Sequence, residues 1–245
     1  MTMNVLVIPD IHLKPWIFEA ADRILREVPA DRAVCLMDIA DDWDHEFDLE
    51  LYRGTYDAAI RFAKDHPDTL WCWGNHDLSY VWQEPESGYS MLAGSLVRQK
   101  LRELEQTLPD RGQLAYVHRI DEVLFLHGGL TEVFVEDYVP ARVRQKKDAD
   151  AVVSAINALG HDELWKDISP IWHRPQYSYM KLWQPDDLLQ VVGHTPVERI
   201  EKAGSVISCD VFSTYRNGRP IGTQEFLLVD TEAGKFSGIP ALNKG

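Results

Sequence analysis

Side chains able to bind metal or move protons recur at one kind of place in this sequence. Asp10-Ile11-His12, Asp38 with Asp41 three residues on, Gly74-Asn75-His76-Asp77, His127-Gly128-Gly129 and Gly193-His194 each follow directly on a short apolar run. Asp10 and His12 are two apart, so on an extended chain they share a face. Asp38 and Asn75 add oxygen donors, and His127 and His194 add imidazoles. This oxygen and nitrogen set without sulfur suits Mn, Fe, Zn, Ni or Co, and suits Ca or Cu(I) less. Six donors exceed what one tetrahedral zinc takes. They suit two metals about 3.5–4 Å apart, bridged by a carboxylate and water. Each residue alone has a plainer account. An Asp after a strand is commonly a turn former or helix cap, and Gly-Asn is a common turn pair. His45, His66, His118, His161 and His173 show how ordinary histidine is in this chain. The joint pattern, five ordered run ends all carrying ligand-type residues, is what points to a site.

The runs themselves read as strands. Asn4–Ile8 is short, apolar and β-branched, which predicts a buried strand. Ala33–Met37 and Thr69–Trp73 read likewise, and Trp16–Val28 and Leu49–Lys64 show helical spacing. This alternation predicts βαβ units and a largely parallel first half. A helical insertion over Ser90–Gln106 follows. Leu114–His118 and Glu122–Leu126 then read as a hairpin turning at Arg119–Asp121. Asp148–Leu159 reads as a helix, and Leu189–Val192, Ser205–Ser208 and Glu225–Val229 as strands. In open α/β sheets ligands sit beyond the carboxyl ends of the strands, so these polar residues are expected to converge at one edge.

The chain has 245 residues, 45% hydrophobic and 26% charged, which fits one large folded domain and excludes general disorder. Its formal net charge is −14. Such acidity argues against nucleic-acid or anionic-membrane binding, but allows an enzyme acting on phosphates if cations sit in its site. Cys35, Cys72 and Cys209 are odd in number and widely spaced, which argues against a disulfide framework or a thiolate zinc site. A reducing cytoplasm is the expected compartment. The start lacks a signal-peptide pattern, and no stretch approaches the roughly 18 apolar residues of a membrane span.

The motifs together resemble the calcineurin-like metallophosphoesterase family. Its pattern is DxH, GDxxD, GNH plus an acidic residue, a strand-borne His often written HGG, and GH. Here these are Asp10-x-His12, Met37-Asp38-x-x-Asp41, Gly74-Asn75-His76-Asp77, His127-Gly128-Gly129 and Gly193-His194, spanning residues 10 to 194. The resemblance implies an α/β fold, a four-layer α/β/β/α sandwich with a dinuclear metal site at strand C-terminal ends. It implies a single domain over 1–245 with a helical insertion at about 78–113. Asp10 and His12 would hold the first metal, Asp38 would bridge, and Asn75, His127 and His194 would hold the second. His76 resembles the catalytic histidine and Asp41 the carboxylate that orients it. A His beside a dinuclear site protonates a leaving oxygen, and a carboxylate fixes its tautomer. The implied cofactors are two divalent ions, Mn first, with Fe, Zn, Ni or Co as alternatives.

The implied activity is phosphate-ester hydrolysis by a metal-bridging hydroxide. Candidate substrates are a phosphorylated small molecule, a dinucleotide or a phosphoprotein, with no membrane partner. The alternatives are a phosphodiesterase acting on cyclic nucleotides or nucleic-acid ends, a catalytically weak metal-binding module, and a mononuclear structural-metal protein. Within the family, many members end in GHxH. Here that place is Pro196, so HGGL with GHTP resembles the serine/threonine-phosphatase and symmetrical diadenosine tetraphosphatase branch. That branch carries Trp-x-Arg, matched by Trp172-His173-Arg174, which makes Arg174 the candidate phosphate clamp.

Two departures stand out. Met37 replaces the usual Gly, and Asp42 stands where the branch carries an Arg. Asp38–Glu50 holds seven acids and no Lys or Arg, an acidic rim expected to weaken the binding of polyanions unless a cation compensates. The plainer reading is a solvated loop leading into a helix N-terminus. Trp43 and Trp82, just after metal motifs, are candidates to wall a pocket. The basic run Arg142 to Lys147 reads as a solvated helix start. Ser208-Cys209-Asp210 follows a strand without an assigned chemistry.

Overall fold

The first strand already sets the layering. β1 (Asn4–Ile8) is apolar on both faces: Val5 and Val7 point to one core, Leu6 and Ile8 to another. Successive side chains of a strand face opposite ways, so a run without polar residues must be covered on both sides. The computed structural model describes residues 3–144 and 148–241. After β1 come α1 (Trp16–Glu27), β2 (Arg32–Cys35), α2 (Leu49–Asp65), β3 (Leu70–Cys72), α3 (Asn75–Trp82), α4 (Gly94–Thr107) and β4 (Leu114–Ala115). The second half holds β5 (Val117–Ile120), β6 (Val123–Leu126), α5 (Glu132–Tyr138), α6 (Ala141–Arg144), α7 (Ala149–Asn157) and α8 (His161–Leu164). It ends with β7 (Leu189–Val192), β8 (Glu201–Ala203), β9 (Val206–Ser208), β10 (Glu225–Asp230) and β11 (Phe236–Pro240).

Two sheets result, with strand orders β11-β10-β1-β2-β3-β4 and β5-β6-β7-β9-β8. The neighbours β1, β2, β3 and β4 pair in parallel, as do β6, β7 and β9, while the outer strands pair antiparallel. The sheets pack face to face over Val5, Val7, Val34, Phe125, Val191 and Ile207. On the far side of the first sheet Ile17, Ala21, Tyr56, Phe62 and Leu101 of α1, α2 and α4 close a second core. Phe134, Val152 and Ile156 of α5 and α7 close a third over the second sheet. The architecture is the expected four-layer α/β/β/α sandwich.

Local chemistry explains the boundaries. The Asp48 carboxylate accepts from the Leu51 N–H and caps α2, so one member of the acidic run is a helix cap. The hairpin differs from expectation. It runs from Val117 to Leu126 and turns after Ile120, whereas Leu114–Ala115 pairs with β3 in the other sheet. The chain changes sheets at Tyr116, where the Asn157 side chain accepts from the Tyr116 and Val117 N–H groups. A continuous apolar run conceals such a crossing. β8 and β11 were not expected, because they are exposed edge strands without apolar alternation. Among the described residues no helix is long and apolar enough to cross a membrane.

Candidate active site

The parallel strands of both sheets deliver their following residues to one edge. Asp10 follows β1, Asp38 follows β2, Asn75 opens α3 after β3, His127 follows β6 and His194 follows β7. The structure brings all of them together around a cavity of about 210 Å³, whose wall includes His12, Asp38, Asp41, His76, Arg174 and His194. Asp10, Asp38, Asn75, His127 and His194 are buried.

Their backbones are bent to do this. His12, Asp38, Asp41 and His194 have φ of 44°, 42°, 63° and 63°, in the left-handed region that ordinary side chains avoid. Such conformations persist only where the surroundings over-determine them, and they cluster at functional sites. Met37, where the family usually has Gly, also has φ of 57°. Two glycines are required by close approach. A Cβ on Gly74 would lie 2.0 Å from Asp38 Oδ1, and one on Gly193 would lie 2.2 Å from Asp10 Oδ2.

Three histidines have one ring nitrogen committed to a backbone carbonyl, which can only accept. His127 Nδ1 donates to Leu36 O at 3.0 Å, His12 Nδ1 to Asp41 O at 3.0 Å, and His194 Nε2 to Trp172 O at 3.1 Å. This sets each tautomer and leaves the other nitrogen for the site, the arrangement that orients metal-binding imidazoles. His127 Nε2 lies 3.1 Å from Asp38 Oδ2 and 3.0 Å from Asn75 Oδ1, and His12 Nε2 lies 3.9 Å from the same Asp38 oxygen. Asp38 Oδ1 meanwhile accepts from the His76 N–H at 2.9 Å. Asp38 Oδ2 thus lies between two imidazoles. Donor atoms of Asp10, His12 and Asp38, and of Asp38, His127 and His194, lie within 4.8 Å of one another.

The electrostatics demand positive charge. Asp10 Oδ1 accepts from the His194 N–H at 2.8 Å, but its Oδ2 is buried with no partner among the described residues. Burial, reinforced by the Asp210 and Asp38 charges, pushes the Asp10 carboxyl well above its ordinary value. Burial alone would raise Asp38 too, but the His127 and His76 rings hold it well below. Burial would lower His127, and the Asp38 and Asp10 carboxylates outweigh this and push it up to about 9. A proton on His127 is thus the occupant that the metal-free site can recruit. An orphaned buried carboxylate oxygen, oriented imidazoles and a shared aspartate fit divalent cations.

Beside the donors stands a dyad. His76 Nδ1 donates to Asp41 Oδ2 at 3.0 Å, and Tyr52 and Tyr80 donate their hydroxyls to Asp41 Oδ1 at 2.6 and 2.5 Å. Asp77 accepts from the Tyr56 hydroxyl at 2.8 Å and from the Ile39 N–H at 3.2 Å, tying α3 to the loop after Asp38. Arg174 lines the cavity, and its Nη1 donates to His194 O and to Thr195 Oγ1. The two tyrosines were not singled out in the sequence; both lie at apolar-face positions of helices, where only the fold reveals a hydroxyl's target.

The acidic rim is largely paired. Asp42 accepts from Lys14 Nζ at 2.7 Å, the Trp43 N–H at 2.8 Å and Thr214 Oγ1 at 3.3 Å, and Asp44 accepts from Arg216 Nη2 at 2.7 Å. The expected repulsion of phosphate by Asp42 is therefore offset by Lys14, a neighbour 28 residues away in sequence. Trp43 lines the cavity and donates its Nε1–H to Thr214 O at 2.9 Å. Trp82 does not line it; it packs edge-on against Trp165 in the third core. Of the basic run, Arg142 and Arg144 lie in α6, while Lys146 and Lys147 fall outside the described residues.

Comparison with known proteins agrees with this geometry. The model of the calcineurin-like phosphoesterase family matches residues 3–214. The fold is similar to that of a cold-active protein-tyrosine phosphatase from a psychrophilic Shewanella species. The TM-score is 0.59 at 18% identity, covering 98% of this chain and 81% of that one. It is also similar to a protein serine/threonine phosphatase from Saccharomyces cerevisiae, with a TM-score of 0.51 at 12% identity, covering 99% of this chain and 81% of that one. No curated protein sequence matches significantly. The family match runs from the first strand to beyond the last of the converging strand ends, and on it the chain belongs to the calcineurin-like phosphoesterase family, hydrolases of phosphoester bonds.

Proposed function

We propose that this phosphoesterase is a phosphomonoesterase working with two divalent cations, manganese first. The observation that carries the reading is Asp38 Oδ2 lying between the His12 and His127 nitrogens while Asp10 Oδ2 is buried with no partner among the described residues. Asp10, His12 and Asp38 would hold one cation, and Asp38, Asn75, His127 and His194 the other. When bound, such a pair lowers the pKa of water toward neutrality and polarises phosphoryl oxygens.

The chain's own residues do the rest. Arg174 has spent Nη1 on the His194 carbonyl and Thr195, which leaves the other edge of its fork for phosphoryl oxygens. His76 keeps Nδ1 on Asp41 and presents Nε2 to the leaving oxygen. As a water oxygen bonds to phosphorus and the bond from phosphorus to the leaving oxygen breaks, His76 gives the leaving oxygen its proton. The proton released by the water restores the balance, so the products are an alcohol and inorganic phosphate. Asp41, held by two tyrosine hydroxyls, keeps the ring's orientation and balances the charge the ring carries beforehand. The pairing of Asp42 and Asp44 with Lys14 and Arg216 supports admission of a phosphate dianion. Both structural neighbours are named as protein phosphatases, which act on monoesters, and this supports a monoester over a diester. Buried Cys35, Cys72 and Cys209, all free thiols, support a reducing compartment.

The test is a panel of phosphomonoesters, phosphodiesters and dinucleoside polyphosphates assayed with Mn, Ni, Zn and Mg, on the wild type and Asp38→Asn. Monoester turnover with Mn that is abolished in Asp38→Asn, together with its metal, is expected. Diester preference overturns the substrate class, and wild-type turnover with two metals in Asp38→Asn overturns the shared-aspartate assignment.

A further inference from the structure

Asp210 is a buried carboxylate on the cavity wall to which the mechanism above gives no work. Its position follows from the sheet. β7 and β9 run in parallel with Val192 beside Ser208, so His194 and Asp210 leave adjacent strands at the same level. Against Gly193 and His194 stands Asp10, which follows β1 of the other sheet and whose Oδ2 is buried with no partner among the described residues. The Asp210 charge is felt by Asp10 and by His12, and in turn it feels Asp38. Asp210 Oδ1 accepts from the Ser213 N–H at 3.3 Å and Oδ2 from Ser213 Oγ at 2.9 Å. A carboxylate offers about four lone-pair positions, so both oxygens retain capacity.

Three buried carboxylates, Asp10, Asp38 and Asp210, therefore share one edge. His127 stands by the first two and the Arg174 guanidinium feels all three, but among the described residues no arginine or lysine is within ion-pair distance of any of them. Taking such charges out of water is costly unless a counter-charge compensates. A turn-capping role for Asp210 explains its bonds to Ser213 but not why a charged cap is kept at the edge that already holds two further buried acids. Asn would make the same cap without repulsion.

We propose that Asp210 is a third carboxylate of the metal centre, holding the cation on the Asp10–His12 side. It stands outside the two groups whose donor atoms lie within 4.8 Å of one another, so it acts by charge and through water rather than by displacing a donor. The inference rests on the two-cation reading above and adds a residue to it.

The test titrates the metal-free full chain with Mn²⁺ by calorimetry and follows thermal unfolding with and without Mn²⁺. Asp210→Asn keeps the shape and an oxygen for the Ser213 N–H. The wild type is expected to take two ions, and the variant to bind one of them about 10–100-fold more weakly. The metal-free variant is expected to melt no lower than wild type, because a like charge has gone, and to gain less from Mn²⁺. Two sites of unchanged affinity overturn the proposal, and that is the outcome a purely turn-capping Asp210 produces. If Asp210→Asn does not fold, Ser213→Ala keeps the carboxylate but loosens it; weakening at the same single site supports the proposal, and unchanged affinity at both sites overturns it. A wild type that takes fewer than two ions overturns the two-cation reading itself, which separates the two failures.

Discussion

His76 is the residue whose surroundings are most fully specified. Nδ1 donates to Asp41, whose other oxygen receives two tyrosine hydroxyls, so the ring has little freedom to turn Nε2 from the cavity. Burial would lower its pKa, but the Asp38 charge and the Asp41 hydrogen bond push it up to about 9 in the metal-free protein, which suits the acid role proposed for it. His76→Ala is therefore expected to keep both metals and lose about 10²–10⁴-fold in rate. The loss should be larger on an alkyl phosphate than on an aryl phosphate, whose leaving group needs less protonation. Metal content and kcat on the two substrates check this, and equal losses on both remove the leaving-group role. Tyr52→Phe with Tyr80→Phe should reproduce the same selectivity in milder form with KM unchanged, since they touch Asp41 alone among the reacting groups. A loss that is uniform across leaving groups would make the tyrosines merely structural.

The elements act through where they stop. The strand ends at His12, Asp38 and His194 carry bends that a plain strand would not make, and at Gly193 the backbone comes so close to the Asp10 carboxylate that a Cβ would lie 2.2 Å from its Oδ2. Gly193→Ala forces that carboxylate aside. It is expected to cost about 1–3 kcal/mol of stability by overpacking and to weaken one Mn²⁺ site, read by unfolding and by calorimetry. Unchanged Mn²⁺ binding would show that Asp10 can shift without consequence. The loop after β2 is held by Lys14 on Asp42, by Trp43 on the Thr214 carbonyl and by Arg216 on Asp44. Asp42→Arg places a guanidinium beside Lys14 and cuts the contact to Thr214. It is expected to lower the melting temperature and to leave phosphate inhibition no stronger. The part-buried charged hydrogen bond alone is worth about 1.5–3 kcal/mol. A ten-fold gain in phosphate affinity at unchanged stability would show that Asp42 faces the phosphate after all.

At the scale of the whole molecule, an acidic chain of net charge −14 concentrates buried carboxylates at one edge of a two-sheet sandwich. Protons and cations compete for that edge. His127, pushed up to about 9, is protonated at pH 7 in the metal-free protein, and Asp10 is raised as well. A cation must displace those protons. Mn²⁺ binding at pH 7 is thus expected to release at least about one proton per chain. Affinity should climb as pH rises and level off above about 9, because there the displaced proton is already gone. Calorimetry in buffers of different ionisation enthalpy measures this. An affinity that falls from pH 6 to 9, or no proton release at pH 7, contradicts the assignment of His127 to the cation site.

How much of this was legible beforehand depends on how local the cause is. An apolar run of strand length and the ligand-type residue that follows it are neighbours in sequence, so Asp10, Asp38, Asn75, His127 and His194 could be picked out as one set. The strands predicted a largely parallel α/β first half, and the family resemblance carried by the motifs implied the sandwich. The converse cases are contacts between distant segments. Lys14 reaches Asp42 across 28 residues, Tyr80 reaches Asp41 across 39, His127 finds the Leu36 carbonyl across 91 and Arg216 pairs with Asp44 across 172. None leaves a trace in spacing. The same holds for the hairpin's true start, hidden in a continuous apolar run, and for the exposed edges β8 and β11. Asp210 lies between the two cases. Its place after a strand was readable, but only the packing of one sheet against the other sets its charge beside Asp10 and His12. The sequence by itself thus determined which groups are delivered to the edge, because strand ends are local. The tertiary structure alone decided which nitrogen, oxygen and charge each presents there, because those are set by carbonyls, hydroxyls and cations that only folding brings near.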